Sequence, residues 1–136
     1  MKNGQQPADN LNKKFMKGDD IAERLLDFST RIIKLANALP KSTVGKHICG
    51  QITRSGTSAG ANYEEARGAE SSADFIHKLG VTLKELRETR YWLKIIAKAN
   101  LLPCNRMKEI IQETDELCKI VGKSIITVTK RKTRNK

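Results

Sequence analysis

The sequence predicts an all-α domain, an antiparallel up-down-up-down four-helix bundle. Three observations predict it. Apolar residues recur at alternating steps of four and three through four long segments, and the breaks between those segments are short. Only three prolines and nine glycines punctuate the 136 residues. Aromatic residues make up 4%, too few for a typical β-sandwich core. A chain of this length buries a real core without disulfides or metals.

The first helix is predicted from about Asp20 to Leu39, with Asp19 or Asp20 as its cap. Ile21, Leu25, Phe28, Ile32, Leu35 and Leu39 form a seam of 3.5-residue period, and Leu26, Ile33 and Ala36 widen it to a bundle-type face. Pro40 stops it, because proline cannot continue the hydrogen-bond ladder. The second helix begins near Ser42 or Thr43. Its face reads Val44, Ile48, Ile52, Ser55, Ala59, Asn62, Ala66. That rhythm runs straight through the stretch RSGTSAGANYEEA, Arg54 to Ala66, which holds Gly56 and Gly60. Each glycine costs about 1 kcal/mol relative to alanine in a helix interior. The stretch is therefore read as a helix with small side chains turned inward.

The third helix follows GAESSAD, capped by Ser71 or Ser72. Phe75, Leu79, Leu83, Leu86, Arg90, Leu93 and Ala97 form its face, flanked by Ile76, Trp92 and Ile96. A hairpin of the second and third helices turning near Gly68–Ser71 sets Asn62 against Leu79 or Gly80, Ser55 against Leu86, and Ile48 against Leu93. Ala59 and Gly60 against Gly80 would let the two backbones approach closely. A buried Asn62 needs a partner, because an unpaired amide costs about 1–3 kcal/mol, and Glu65 or Glu85 is the candidate. The packing motif is thus Ser55, Ala59, Gly60, Asn62, Glu65, Ala66 and Gly80. The competing reading is a polar site lined by Ser55, Ser58, Asn62 and Glu65. The fourth helix follows NLLPCN, starts at Asn105 or just before it, and buries Met107, Ile110, Ile111, Leu117, Val121, Ile125 and Val128. It is expected to fray into the basic C-terminus.

The formal net charge is +11, and its distribution divides the chain. Residues 1–18 form a basic N-terminal arm, read as flexible, with Lys2, Lys13, Lys14 and Lys17 against Asp9. Residues 19–129 are the bundle, with 17 bases and 14 acids. Residues 130–136, KRKTRNK, form a tail with five bases and no acid. Cationic ends suit RNA, DNA or another polyanion, and equally serve as solubilising ends with no partner. The candidate contacts are Lys130, Arg131, Lys132, Arg134 and Lys136, then Lys13, Lys14 and Lys17. Arg87, Lys94 and Lys98 join Arg90 in a stripe on the third helix, which is either a phosphate-binding face or a solvated or subunit-interface face. Such contacts neutralise phosphates with little sequence selection.

No catalytic constellation emerges, so an enzyme is not expected. Asp74-x-x-His77 is one imperfect half of a di-iron pattern, and no metal site or cofactor is expected. A Gly-rich phosphate loop is missing. Cys49, Cys104 and Cys118 are odd in number and widely spaced, which indicates buried free thiols rather than disulfides or zinc. The N-terminus carries no secretory-type apolar run, and no segment approaches the ~20 apolar residues of a membrane helix. A cytoplasmic protein with no membrane partner is the expectation.

Across residues 54–96 the sequence resembles the 23S rRNA intervening-sequence proteins. The carrying pieces are S-x-G-A-N-Y-x-E-A at Ser58–Ala66, DFIHKL at Asp74–Leu79, and LKE with ET-x-YWL within Leu83–Leu93. The resemblance implies a left-handed antiparallel four-helix bundle and a ring-like homo-oligomer that is most often a pentamer, and it implies no established catalysis. It also implies kinship to the accessory protein of diversity-generating retroelements, a basic pentamer that engages a reverse transcriptase and nucleic acid. The alternative it leaves open is a scaffold for a protein partner with no direct nucleic-acid role.

Overall fold

A computed structural model describes residues 18–134. Four helices follow one another: α1 (Asp19–Asn37), α2 (Thr43–Arg67), α3 (Ser72–Lys98) and α4 (Cys104–Arg134). No strand occurs among the described residues. Their links are short, so sequential neighbours pack antiparallel and the four rods enclose one core. No described helix is long and apolar enough to cross a membrane. Lys13, Lys14, Lys17 and Lys136 lie outside the described residues.

The helix ends follow local chemistry. The cap of α1 is Gly18, in the left-handed region at φ 92, not Asp19 or Asp20. Those two aspartates occupy the first turn, where the positive end of the helix dipole favours them. Ser42 caps α2 by accepting from the Gly45 N–H at 3.1 Å. Ser71 does the same for the Asp74 N–H, also at 3.1 Å. Between α3 and α4, Asn100 takes φ 58. The Asn100 and Leu101 N–H groups bond back to the Ala97 and Ile96 carbonyls at 3.2 and 3.0 Å, which satisfies two terminal acceptors. The fourth helix starts at Cys104 and does not fray at residue 130; it continues through Arg134.

The core seams differ from the expected ones in an informative way. Leu25, Phe28, Ile32, Leu35 and Ala36 of α1 are buried. Leu26 and Ile33 are not part of that face, with 60% and 43% exposure. Each sits one residue, about 100° of helix, past a core position. On α2, Val44 is exposed and Asn62 half-exposed, while Gly45 and Tyr63 take the inward positions. Asn62 donates to the Ser58 carbonyl of its own helix at 2.9 Å, so neither Glu65 nor Glu85 partners its amide. On α3 the seam is Leu79, Thr82, Leu86, Thr89, Leu93 and Ile96. Phe75, Leu83, Arg90 and Ala97 are half-buried. An apolar pattern passes over threonine, yet threonine fits a helical core when its hydroxyl bonds to the carbonyl four residues back. Thr82 bonds to Lys78 in this way at 3.1 Å, and Thr114 to Ile110 at 2.7 Å.

The stretch around Gly56 is continuous helix, and its small residues do face inward. The two glycines, however, meet α1 and not α3. A Cβ built on Gly56 would lie 2.6 Å from Ile32 Cγ2, and one on Gly60 would lie 3.6 Å from Leu25 Cβ. This close approach lets Ser29 Oγ donate to the Gly56 carbonyl at 2.8 Å. Gly80 is exposed, and a Cβ there meets nothing within 4 Å, so it takes no part in backbone approach. Hydroxyl and charged side chains join α2 to α3. The Ser55 and Thr89 hydroxyls lie 2.9 Å apart in the core, and Lys78 Nζ reaches Glu65 at 2.7 Å. Ser55 thus meets Thr89, about one turn from the expected Leu86. Ala59 and Ala66 are buried as expected.

Candidate nucleic-acid interface

The C-terminal half of α4 is the most concentrated charge feature. Lys130, Arg131, Lys132 and Arg134 are exposed within its last turns, where cations also suit the negative end of the helix dipole. Helical continuation gives them a geometry that a loose tail lacks. Lys119, Lys123, Lys130 and Arg134 are spaced four, seven and four residues apart, which puts them on one exposed face with Ile126. Lys119 and Lys123 were missed in the sequence because they stand alone rather than in a run. Their spacing relative to Lys130 was the signal.

The stripe on α3 is a separate surface. Arg87, Lys94 and Lys98 are exposed, and Tyr91, 61% exposed, lies among them at helical spacing. Arg90 turns aside to pair with Asp115 at 3.1 Å, which fixes the level at which α3 and α4 meet. Counting along both rods from that level, Lys98 and Lys130 are ~35 Å apart at opposite ends of the bundle. One chain does not bring the two basic groups together.

Ion pairs consume most acids of the α1–α2 and α2–α3 faces. Arg54 holds Glu85 at 3.1 Å and Glu88 at 2.5 Å. The Arg54 guanidinium, with the Trp92 indole N–H at 3.1 Å, holds the Glu88 carboxyl below the usual carboxylate range. Arg67 pairs with Asp19 and, at 3.5 Å, with Glu64. Arg24 forks onto Glu113 at 2.9 and 2.8 Å and reaches Glu116 at 2.7 Å, joining α1 to α4. In contrast, Lys119, Lys123, Lys130, Arg131, Lys132 and Arg134 form no ion pair among the described residues.

Two surface depressions flank these groups. One, of about 740 Å³, runs between α1 and α2, with exposed Leu26 and Ile33 and the acids Asp20, Glu23 and Glu64 among its lining. The other, of about 850 Å³, lies where the C-terminal half of α4 passes the α2–α3 turn. Among the described residues, no group of three or more His, Cys, Asp and Glu could hold a metal ion. The thiols are all free but not all buried: Cys118 is buried, Cys49 half-buried and Cys104 exposed. Burial pushes the Cys118 thiol up, away from reactivity.

The fold and the charge pattern together define a cationic four-helix-bundle protein. Residues 19–123 match the family described as 23S rRNA-intervening sequence protein, and the chain belongs to that family. A crystal structure from Bacteroides thetaiotaomicron VPI-5482, a protein with unknown function from the S23 ribosomal protein family, is similar at 36% identity and a TM-score of 0.73. The likeness covers 77% of this chain and 97% of that one. No curated protein matches the chain. The family match ends at Lys123, so the last cationic turns of α4 lie beyond it.

Proposed function

We propose that this chain is a non-enzymatic, cytoplasmic binding protein that engages RNA or DNA with low sequence specificity through the C-terminal half of α4. One observation carries the reading: from Leu117 to Lys136 the chain has seven bases and no acid. Four of those bases share one exposed helical face. A helix face of unpaired cations neutralises phosphates and releases counterions, so binding falls steeply with salt. Deleting residues 130–136 removes five of the bases. Fluorescence anisotropy across a salt series should then show weaker binding and a slope flattened by about 3 for single-stranded RNA. Unchanged affinity and slope would rule this helix end out.

The same reading includes a homo-oligomer, with a pentamer the size that the family resemblance suggests. The support is complementarity between two surfaces not used by α4. The α1–α2 groove offers Leu26 and Ile33 beside Asp20 and Glu23, which form no ion pair among the described residues. The α3 face offers Tyr91 among Arg87, Lys94 and Lys98. One copy's α3 face seated in the next copy's groove is a head-to-tail contact, the kind that closes into rings. This assigns the α3 stripe to assembly and leaves α4 for nucleic acid. Light scattering should report an assembly that Leu26→Lys dissociates. A monomeric parent chain would refute the ring and favour the alternative, a groove that receives a protein partner such as a reverse transcriptase.

A further inference from the structure

We infer that the cleft beside the C-terminal half of α4 receives an unpaired base, so that the ligand is single-stranded nucleic acid rather than a duplex; this rests on the cationic-helix reading above. The cleft of about 850 Å³ has an apolar wall, which includes Ile21, Phe75, Val128 and the ring of Tyr63. Tyr63 is buried, which pushes its phenol up and keeps it neutral. Lys123 and Arg131 belong to the same lining, eight residues apart on α4, which is about 12 Å along the axis.

The charge balance of the cleft favours an anionic visitor. Its one carboxylate, Glu64, is paired with Arg67, and Arg67 is also held by Asp19. Those three groups, one guanidinium and two carboxylates, carry a net charge of −1, against +2 on Lys123 and Arg131. Lys123 and Arg131 form no ion pair among the described residues, so the uncompensated charge at the mouth is positive. Thr127 is exposed in the same lining and makes no hydrogen bond among the described residues, so its hydroxyl is free for a base edge. An apolar wall carrying the half-buried Phe75 ring, a free hydroxyl and two bracketing cations are what a nucleotide requires: a π-face, a polar edge and a phosphate. A paired base hides its face in the stack, and extracting it costs free energy that an unpaired base does not.

The test uses the full chain with a fluorescein-labelled oligouridine, its deoxyuridine counterpart and a duplex of equal length. Thr127→Leu narrows the mouth and removes the free hydroxyl from an exposed position, without touching the core or adding a π-face. It should weaken single-strand binding by about fivefold or more, the scale of one lost stacking contact, and leave duplex binding unchanged. Thiouridine cross-linking to the parent chain should map to Tyr63, Phe75 or the facing turn of α4. The tighter of the two single strands names the sugar. Duplex binding as tight as single-strand binding, or a single-strand affinity that Thr127→Leu does not weaken, overturns the inference. If deletion of residues 130–136 still weakens both ligands in that case, the cationic helix stands and only the cleft fails. If that deletion changes neither ligand, the cationic-helix reading has failed as well.

Discussion

Replacing Gly56 with alanine should destabilise this protein, although alanine is the better helix former. The built Cβ would lie 2.6 Å from Ile32 Cγ2 and 3.1 Å from both Ile32 Cβ and Cγ1. Ile32 is fully buried and branched at Cβ, so it has no free rotamer into which to retreat. Helix propensity returns about 1 kcal/mol, while overpacking of a filled core costs about 1–3 kcal/mol. Separating α1 from α2 would also lengthen the Ser29 bond to the Gly56 carbonyl. The net loss should be about 1 kcal/mol. Two controls isolate the cause. At Gly60 the built Cβ makes ordinary contacts at 3.6 Å, and at Gly80 it meets nothing within 4 Å. Both alanine variants should gain roughly 0.5–1 kcal/mol. Urea unfolding at one fixed protein concentration measures all three, because an assembly's stability depends on concentration. In an Ile32→Ala background Cγ1 and Cγ2 are gone and only the Cβ contact at 3.1 Å remains, so most of the Gly56→Ala cost should disappear. A Gly56→Ala protein as stable as Gly80→Ala would refute close packing of α1 on α2.

Other variants probe the remaining contacts. Gly45→Ala should do more damage than Gly56→Ala, about 3 kcal/mol or more, because its Cβ would stand 1.9 Å from the Pro40 carbonyl oxygen, which is backbone and cannot rotate away; thermal unfolding reads this directly. Arg24→Met should cost about 1 kcal/mol, since the guanidinium is over a third exposed and its forked contact with Glu113 is partly screened; the loss should shrink at high salt. Glu88 titrates below its unfolded value, so its contribution is present above about pH 4.3 and is lost as pH falls through the lower native value. Arg54→Met should therefore be less stable than the parent at neutral pH, with the gap closing in acid; a gap that stays constant in pH-dependent urea unfolding would contradict the pairing.

The sequence by itself determined the number, order and approximate limits of the helices, and the continuity of α2 through its glycines. Those properties are local: apolar period, Ser42 and Ser71 at the caps, and Pro40 past the first helix act within a turn or two of the backbone. It also located the charge at Lys130–Lys136. It did not determine which neighbour the small face of α2 meets. Gly56 and Gly60 look alike along the chain, and only the placement of Ile32 and Leu25 on α1 makes the first position crowded and the second permissive. Nor did it show that Thr82 and Thr89 belong to the core, because their burial depends on carbonyls and hydroxyls brought to them by helix geometry and by α2. Leu26 and Ile33 looked like core and proved to be surface, since a helix with neighbours on only part of its circumference buries only that part. The tertiary structure likewise separated the α3 stripe from the terminal cations by nearly the bundle's length. Periodicity fixes direction around a helix axis; what stands in that direction is decided only when the other three helices are in place.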